Sequence, residues 1–301
     1  MNLQFVADGL LLGAMIGLGA IGVTLTYSIL RFANFAHGEF ISWGAYMTVA
    51  LTGAIGFLGG SHAPIGPFSF GFGLIAAGLI AMILTGLLAV ALDALLFKHL
   101  RRHGSAIIMV IASFGAAMAL RSLLEFGFTS QPVYFSRAIQ FALPLGLGVR
   151  VTPDQLAMLA LTLMLVTIMH LVMTRTTIGR AMRAVSENPS LSQIVGIDVD
   201  KVFRATWLIG GALACAAGIM VGITVQIRPY MGFDLLLPLF SAAILGGIGS
   251  VPGAVLGGLI VGLAESAAVH VVGAEFRAAI AFLILIAVLL VRPTGLFGVK
   301  D

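Results

Sequence analysis

The sequence predicts an all-α polytopic membrane protein. Three observations carry this: apolar runs about 20 residues long, a charged fraction of 9% against 60% AVILMFWYC, and 38 glycines in 301 residues. A soluble domain of this length needs many more charges to coat its surface. Strands that cross a membrane read as alternating segments about ten residues long, so continuous runs of twice that length are helices. Glycine at this density suits helices whose backbones approach closely in lipid.

The apolar runs fall at 9–30, 40–59, 70–97, 106–128, 155–174, 205–227, 235–272 and 276–291. No basic residue precedes the first run, which is also too long for the core of a signal peptide. It reads as a retained span. The run 235–272 is near twice the length that one span needs, and "GGIGSVPG" (Gly246–Gly253) interrupts it. Pro252 in this glycine field favours a helix break, because proline removes one backbone hydrogen bond and crowds the preceding turn. The expectation is eight or nine transmembrane helices in one membrane domain spanning 1–301, with no internal repeat and no soluble domain.

Charge sets the orientation. Lys98, Arg101 and Arg102 form one basic group; Arg175, Arg180, Arg183, Lys201 and Arg204 form another. Both belong on the cytoplasmic side by the positive-inside rule, as does Arg292–Asp301. The segment 129–154 carries only Arg137 and Arg150 and belongs outside. Alternation then places the N-terminus outside. The net charge of +4 reflects cytoplasmic loops, so the partner is a lipid bilayer and not nucleic acid. Cys215 lies alone in an apolar run, which implies neither a disulfide nor a thiolate metal site.

Polar residues inside apolar runs need a reason, since a charge at the bilayer centre costs roughly 2.5–3.5 kcal/mol. Glu265 in "GLAESAAVH" is one, a candidate for the lining of a pathway. Arg121 and Glu125 are four apart and are expected to pair along one helix face. Asp93 is expected to reach Lys98 or solvent. In "RFANFAHGEF", Asn34, His37 and Glu39 make a tight polar turn between two runs, suited to capping helix ends. They are further pathway candidates. His37 and Glu39 do not share a helix face, and no third ligand is close, so a metal is not expected. Gly9, Gly13 and Gly17 recur every four residues, as do Gly249, Gly253 and Gly257, with Gly258 and Gly262 one step round. These stripes are expected to pack helices together.

The segment 175–204 is polar yet patterned. Asn188-Pro189 ends any helix that arrives from Gly179–Glu187. Ser190 and Gln193 have the spacing of a capping box, and Gly196 suits a helix C-terminus. Leu191, Ile194 and Val195 then share one apolar face. That face either packs on the protein's own cytoplasmic ends or docks in the groove of a partner. No lysine completes a phosphate-binding loop: Phe97, Asp200 and Val299 precede Lys98, Lys201 and Lys300. No catalytic triad is visible and no cofactor is implied. The chain is expected to be a transport subunit and not an enzyme, driven by another polypeptide or by an ion gradient.

Four stretches resemble one family: "RFANFAHGEFISWGAY", "GRAMRAVSENPSLSQIVGI", "GGIGSVPGAVLGGLIVGLAE" and "VLLVRPTGLFG". They look like the signature stretches of branched-chain amino acid ABC importer permeases of the LivH type, in the same order and spacing. The resemblance implies a type II-like importer fold, multi-pass in a bacterial inner membrane. It implies a second related permease, two cytoplasmic ATPase subunits and a periplasmic substrate-binding protein as partners. It makes 175–204 the coupling loop to the ATPase, with Glu187 and Gly196 on its core, and adds Leu191, Ile194 and Val195 as the docking face. Related permeases carry urea, short amides or aromatic acids, and these motifs do not separate such substrates. From the residues alone, the rival class is an ion-coupled secondary transporter. Glu265 and the break at Pro252 support it, and the absence of a repeat opposes it.

Overall fold

The computed structural model describes residues 3–58, 63–103, 105–128, 130–136, 140–146, 148–292 and 294–298. Arg137 and Lys300 lie outside them. Eight helical stretches are long and apolar enough to cross a membrane. They are α1 (Gln4–Leu30), α2 (His37–Phe57), the stretch Phe72–Arg101 that opens with α3 (Phe72–Leu92), α5 (Ala106–Phe128), α6 (Pro153–Arg175), α9 (Val199–Thr224), α11 (Val251–Val271), and Ala274–Val291, a 3-10 turn continued by α12 (Arg277–Val291). A π-helical turn, Asp93–Phe97, joins α3 to the short α4 (Lys98–His103). A ninth apolar helix, α10 (Met231–Gly246), is too short to cross alone. Eight candidate spans among the described residues match the lower of the two expected counts. Two short helices, α7 (Thr177–Glu187) and α8 (Pro189–Ile194), lie between α6 and α9. A small hairpin, β1 (Leu143–Gly146) and β2 (Val149–Val151), precedes α6.

The ends of α1 define the two ends of the bundle. The Gln4 amide donates to the Arg150 carbonyl at 3.0 Å and accepts from the Arg150 N–H at 2.8 Å. At the other end, the Arg31 guanidinium donates to the carbonyls of Ser186 and Glu187, both at 2.9 Å. The start of α1 thus shares a face with the hairpin, and its end shares a face with α7, as alternation requires. Asp93 reaches across to Arg101 at 2.6 Å, while Lys98 pairs with Asp200 at 3.3 Å. The expected Asp93–Lys98 contact is not formed, because the longer arginine side chain returns to the π-helical turn from two turns further on.

Helices α1 and α9 form the buried centre, whereas α12 buries only Ala281 fully. α1 and α11 run antiparallel with backbone against backbone. A Cβ on Gly13 would lie 2.7 Å from the Leu259 Cα, and one on Gly9 would lie 2.9 Å from the Leu263 Cα. Gly258 and Gly262 supply the other side of this seam, against Gly17 and Gly13. Gly253 and Gly257 face α10, against the backbone of Gly246 and Ala242. Gly249 is a correction. It does not extend the helical stripe but lies in the turn before α11, at φ 90°, and donates to Thr24 Oγ1 at 2.7 Å. The cap of α11 is Ser250 and Pro252 stands in its first turn, so proline begins a helix there and does not kink one.

Gly258→Leu is expected to abolish the detergent-stable protein, because its side chain would overlap the α1 backbone. Gly53→Leu is expected to be neutral, since no atom lies within 4 Å of a Cβ there. Size-exclusion profiles at matched expression check both outcomes.

Candidate functional site

Two helices begin inside the helix bundle and not at its end. α1 ends at Leu30, with Arg31 in the left-handed region at φ 56°. The chain then turns back over 31–36 before α2 begins at His37. The His37 ring lies against Gly22: a Cβ there would sit 2.6 Å from its Cε1. Gly22 is eight residues before the end of α1, a rise of about 12 Å. α10 begins beside α2, with Gly232 against Gly38. One hydroxyl serves the junction: Ser42 Oγ donates to the Pro229 carbonyl and accepts from the Gly232 N–H, both at 3.0 Å. Irregular backbone at this depth survives only where protein or a wet cavity surrounds it.

The polar turn of the sequence lands at this junction. Asn34, His37 and Glu39 are all buried. Asn34 Oδ1 accepts from the Ala36 N–H at 3.1 Å and shapes the return. His37 packs edge-on against Phe40. Glu39 Oε1 accepts from Arg121 Nη2 at 2.5 Å, and Oε2 has no hydrogen-bond partner among the described residues. The Arg121 guanidinium also lies 4.8 Å from the Tyr230 ring centroid and 4.5 Å from that of Phe233. The expected Arg121–Glu125 pair is therefore replaced. A fully buried carboxylate on α2 has more to gain from the guanidinium than a carboxylate on its own helix with access to water. Glu265 is also buried, and neither of its oxygens has a partner among the described residues. It forms no ion pair or hydrogen bond with Asn34, His37 or Glu39.

At the basic end, α7 packs Met182 and Val185 on Ile29, Val199 and Val202. α8 then turns away from the bundle. Its N-cap is Asn188 and not Ser190: Asn188 Oδ1 accepts from the Leu191 N–H at 3.0 Å. Two cap signals compete here, and Pro189 decides, because proline is preorganised for the first helical position and needs no hydrogen-bond acceptor. Gly196, at φ 87°, closes the helix. Its N–H bonds Gln193 O, and the Ile197 N–H bonds Ser192 O, a complete Schellman motif. Ser192 is buried, while Leu191, Ile194 and Val195 are 56%, 82% and 67% exposed. Ser192 is thus the one α8 residue turned to the protein, and the apolar residues face out beside the exposed Ser190 and Gln193. Glu187 presents its carbonyl to Arg31 and leaves its side chain exposed. Asp198 caps α9, and the Lys201 N–H bonded to it holds its carboxyl below the usual carboxylate range.

The chain matches the family described as branched-chain amino acid transport system / permease component over residues 5–289. It belongs to this family. The relatives of this permease include the high-affinity branched-chain amino acid transport system permease protein BraD of Pseudomonas aeruginosa. That protein is 32% identical, over 98% of this chain and 95% of its own. LivH of Escherichia coli, a permease protein of the same description, is 31% identical over 98% of this chain and 95% of its own. A probable LivH permease of Methanocaldococcus jannaschii is 29% identical over 93% and 87%. Three features of the permease escaped the sequence: Arg121 as the partner of Glu39, the ring pair Tyr230 and Phe233, and the Arg31 bond to α7. Only Arg121 left a signal, as a charge within an apolar run.

Glu39→Gln alone is expected to destabilise the protein by roughly 3–5 kcal/mol, because it strands the Arg121 guanidinium. The double variant Glu39→Gln/Arg121→Gln should recover most of that loss. Thermal denaturation of the purified permease in detergent checks the order.

Proposed function

We propose that this permease is the membrane subunit of an ATP-binding-cassette importer for branched-chain amino acids, in a bacterial inner membrane. The whole chain, 1–301, acts as one permease domain. It pairs with a second related permease subunit, receives substrate from a periplasmic binding protein, and takes its energy from two cytoplasmic ATPase subunits. It hydrolyses nothing itself. The relatives' described substrate supports branched-chain amino acids over urea or short amides.

The observation that carries the reading is the outward apolar face of α8. A helix capped at both ends that hides Ser192 and exposes Leu191, Ile194 and Val195 has its contact surface on the outside. Such a face fits a groove in a partner, here an ATPase. Within 175–204, Glu187 ends α7 just before that helix, and Gly196 closes it. When the ATPases close, α8 moves, and α7 moves with it. Arg31 ties the end of α7 to the return segment 31–36, so the displacement reaches Asn34, His37 and Glu39. The membrane path then opens to alternate sides. Glu265 lines or braces that path from α11.

Ile194→Asp should abolish uptake and ATPase copurification while leaving membrane levels unchanged, because a carboxylate in an apolar contact has no partner. A pull-down at matched permease levels reads the result. Full ATPase binding by this variant would leave α8 as a cap on the permease itself.

A further inference from the structure

Exposed charge at membrane depth is concentrated on one face. Arg228 and Asp234 flank the start of α10, 4.0 Å apart, with side chains 50% and 58% exposed. Arg121 stands seven residues before the end of α5, about 10 Å below it. Glu125 lies one turn above, partly exposed. Other outer surfaces at comparable depth are apolar, such as Leu79, Ile83 and Leu87 on α3. Facing four charged groups toward hydrocarbon would cost several kcal/mol. The face between α5 and α10 therefore meets water. Below the charges its floor is aromatic: Phe35 lies between Phe114 of α5 and Phe240 of α10, with ring centroids at 6.1 and 5.6 Å.

We propose that this face is a wall of the aqueous path, and that Arg121 is its contact for the carboxylate of the passing solute. The two members of the buried ion pair differ in reach. Glu39 has no exposed side-chain surface, whereas 14% of the Arg121 side chain is open. A solute therefore meets the cation and not the anion. Glu39 accepts from a single Arg121 nitrogen, so the guanidinium keeps donors for a second carboxylate. Tyr230 and Phe233, both about half exposed, hold the guanidinium and offer an apolar surface beside it. A carboxylate next to an apolar side chain is the chemistry that this corner recognises. The direction of traffic rests on the importer reading above; the wet face does not.

The test uses single-thiol variants of the assembled importer, labelled with a membrane-impermeant maleimide. The chain has one native cysteine, Cys215, which is fully buried and silent. Met118→Cys and Asp234→Cys should label; Ile83→Cys, on the apolar face of α3, should not. Uptake is read in Glu39→Gln/Arg121→Gln, which removes both charges without stranding either. This variant should copurify with the ATPase as the parent does, yet take up leucine at least tenfold more slowly. Absence of label at both Met118→Cys and Asp234→Cys, with or without ATP, would mean that protein or lipid covers the face, and would overturn the proposal. Parental uptake by the double variant would overturn the carboxylate contact. Failure of the importer reading would show separately, as no ATPase copurifying with the parent permease.

Discussion

A peptide group in hydrocarbon must find its hydrogen-bond partner inside the protein, because lipid offers none. The architecture of this permease follows from that constraint. α2 and α10 both start short of the membrane surface, and each brings unbonded N–H groups of a helix end into the interior. They meet each other through Gly38 and Gly232, and the Ser42 hydroxyl serves both. Threonines repeat the device within the helices: Thr26, Thr48, Thr162 and Thr206 bond carbonyls four residues back in their own helices. Other buried polar groups gather where the backbone is interrupted, as at 34–39. The Glu39–Arg121 pair sits at such an interruption.

The spans were legible because apolar length is a one-dimensional property. The helix cap at Gly196 was legible because a left-handed helix terminus favours glycine. Contacts between distant residues were not. Glu39 and Arg121 are 82 positions apart, and nothing in either local pattern names the other. The glycine stripes show the same limit. Periodicity separates Gly253 and Gly257 from Gly258 and Gly262, but cannot say that one pair meets α10 and the other α1. The position of α8 was readable to within two residues. Its true cap, Asn188, was masked by a second plausible cap at Ser190. The orientation of its apolar face could be drawn either inward or outward until the burial of Ser192 was known.

The buried turn 31–36 and the segment 175–204 meet at one unusual residue. Arg31 is the only non-glycine residue with positive φ among the described residues. Such a conformation costs on the order of 1–2 kcal/mol for an L-residue with a full side chain. In return, its guanidinium satisfies two carbonyls at the end of α7, which a helix C-terminus leaves unbonded. The same residue also begins the return segment that delivers His37 and Glu39. Backbone geometry and side-chain bonding thus fix the loop and the buried turn to each other.

The seam between α1 and α11 has a consequence for biogenesis. α1 leaves the ribosome well before α11, and the glycines that complete its main contact, Gly258 and Gly262, come some 240 residues later. Through most of synthesis the Gly9–Gly13–Gly17 face meets lipid or a surrogate. A lone helix tolerates this, since its backbone bonds are internal. The bundle does not close around α1 until α11 arrives. Nascent chains released before that point contain most of the spans and lack the contact that locks α1 in place.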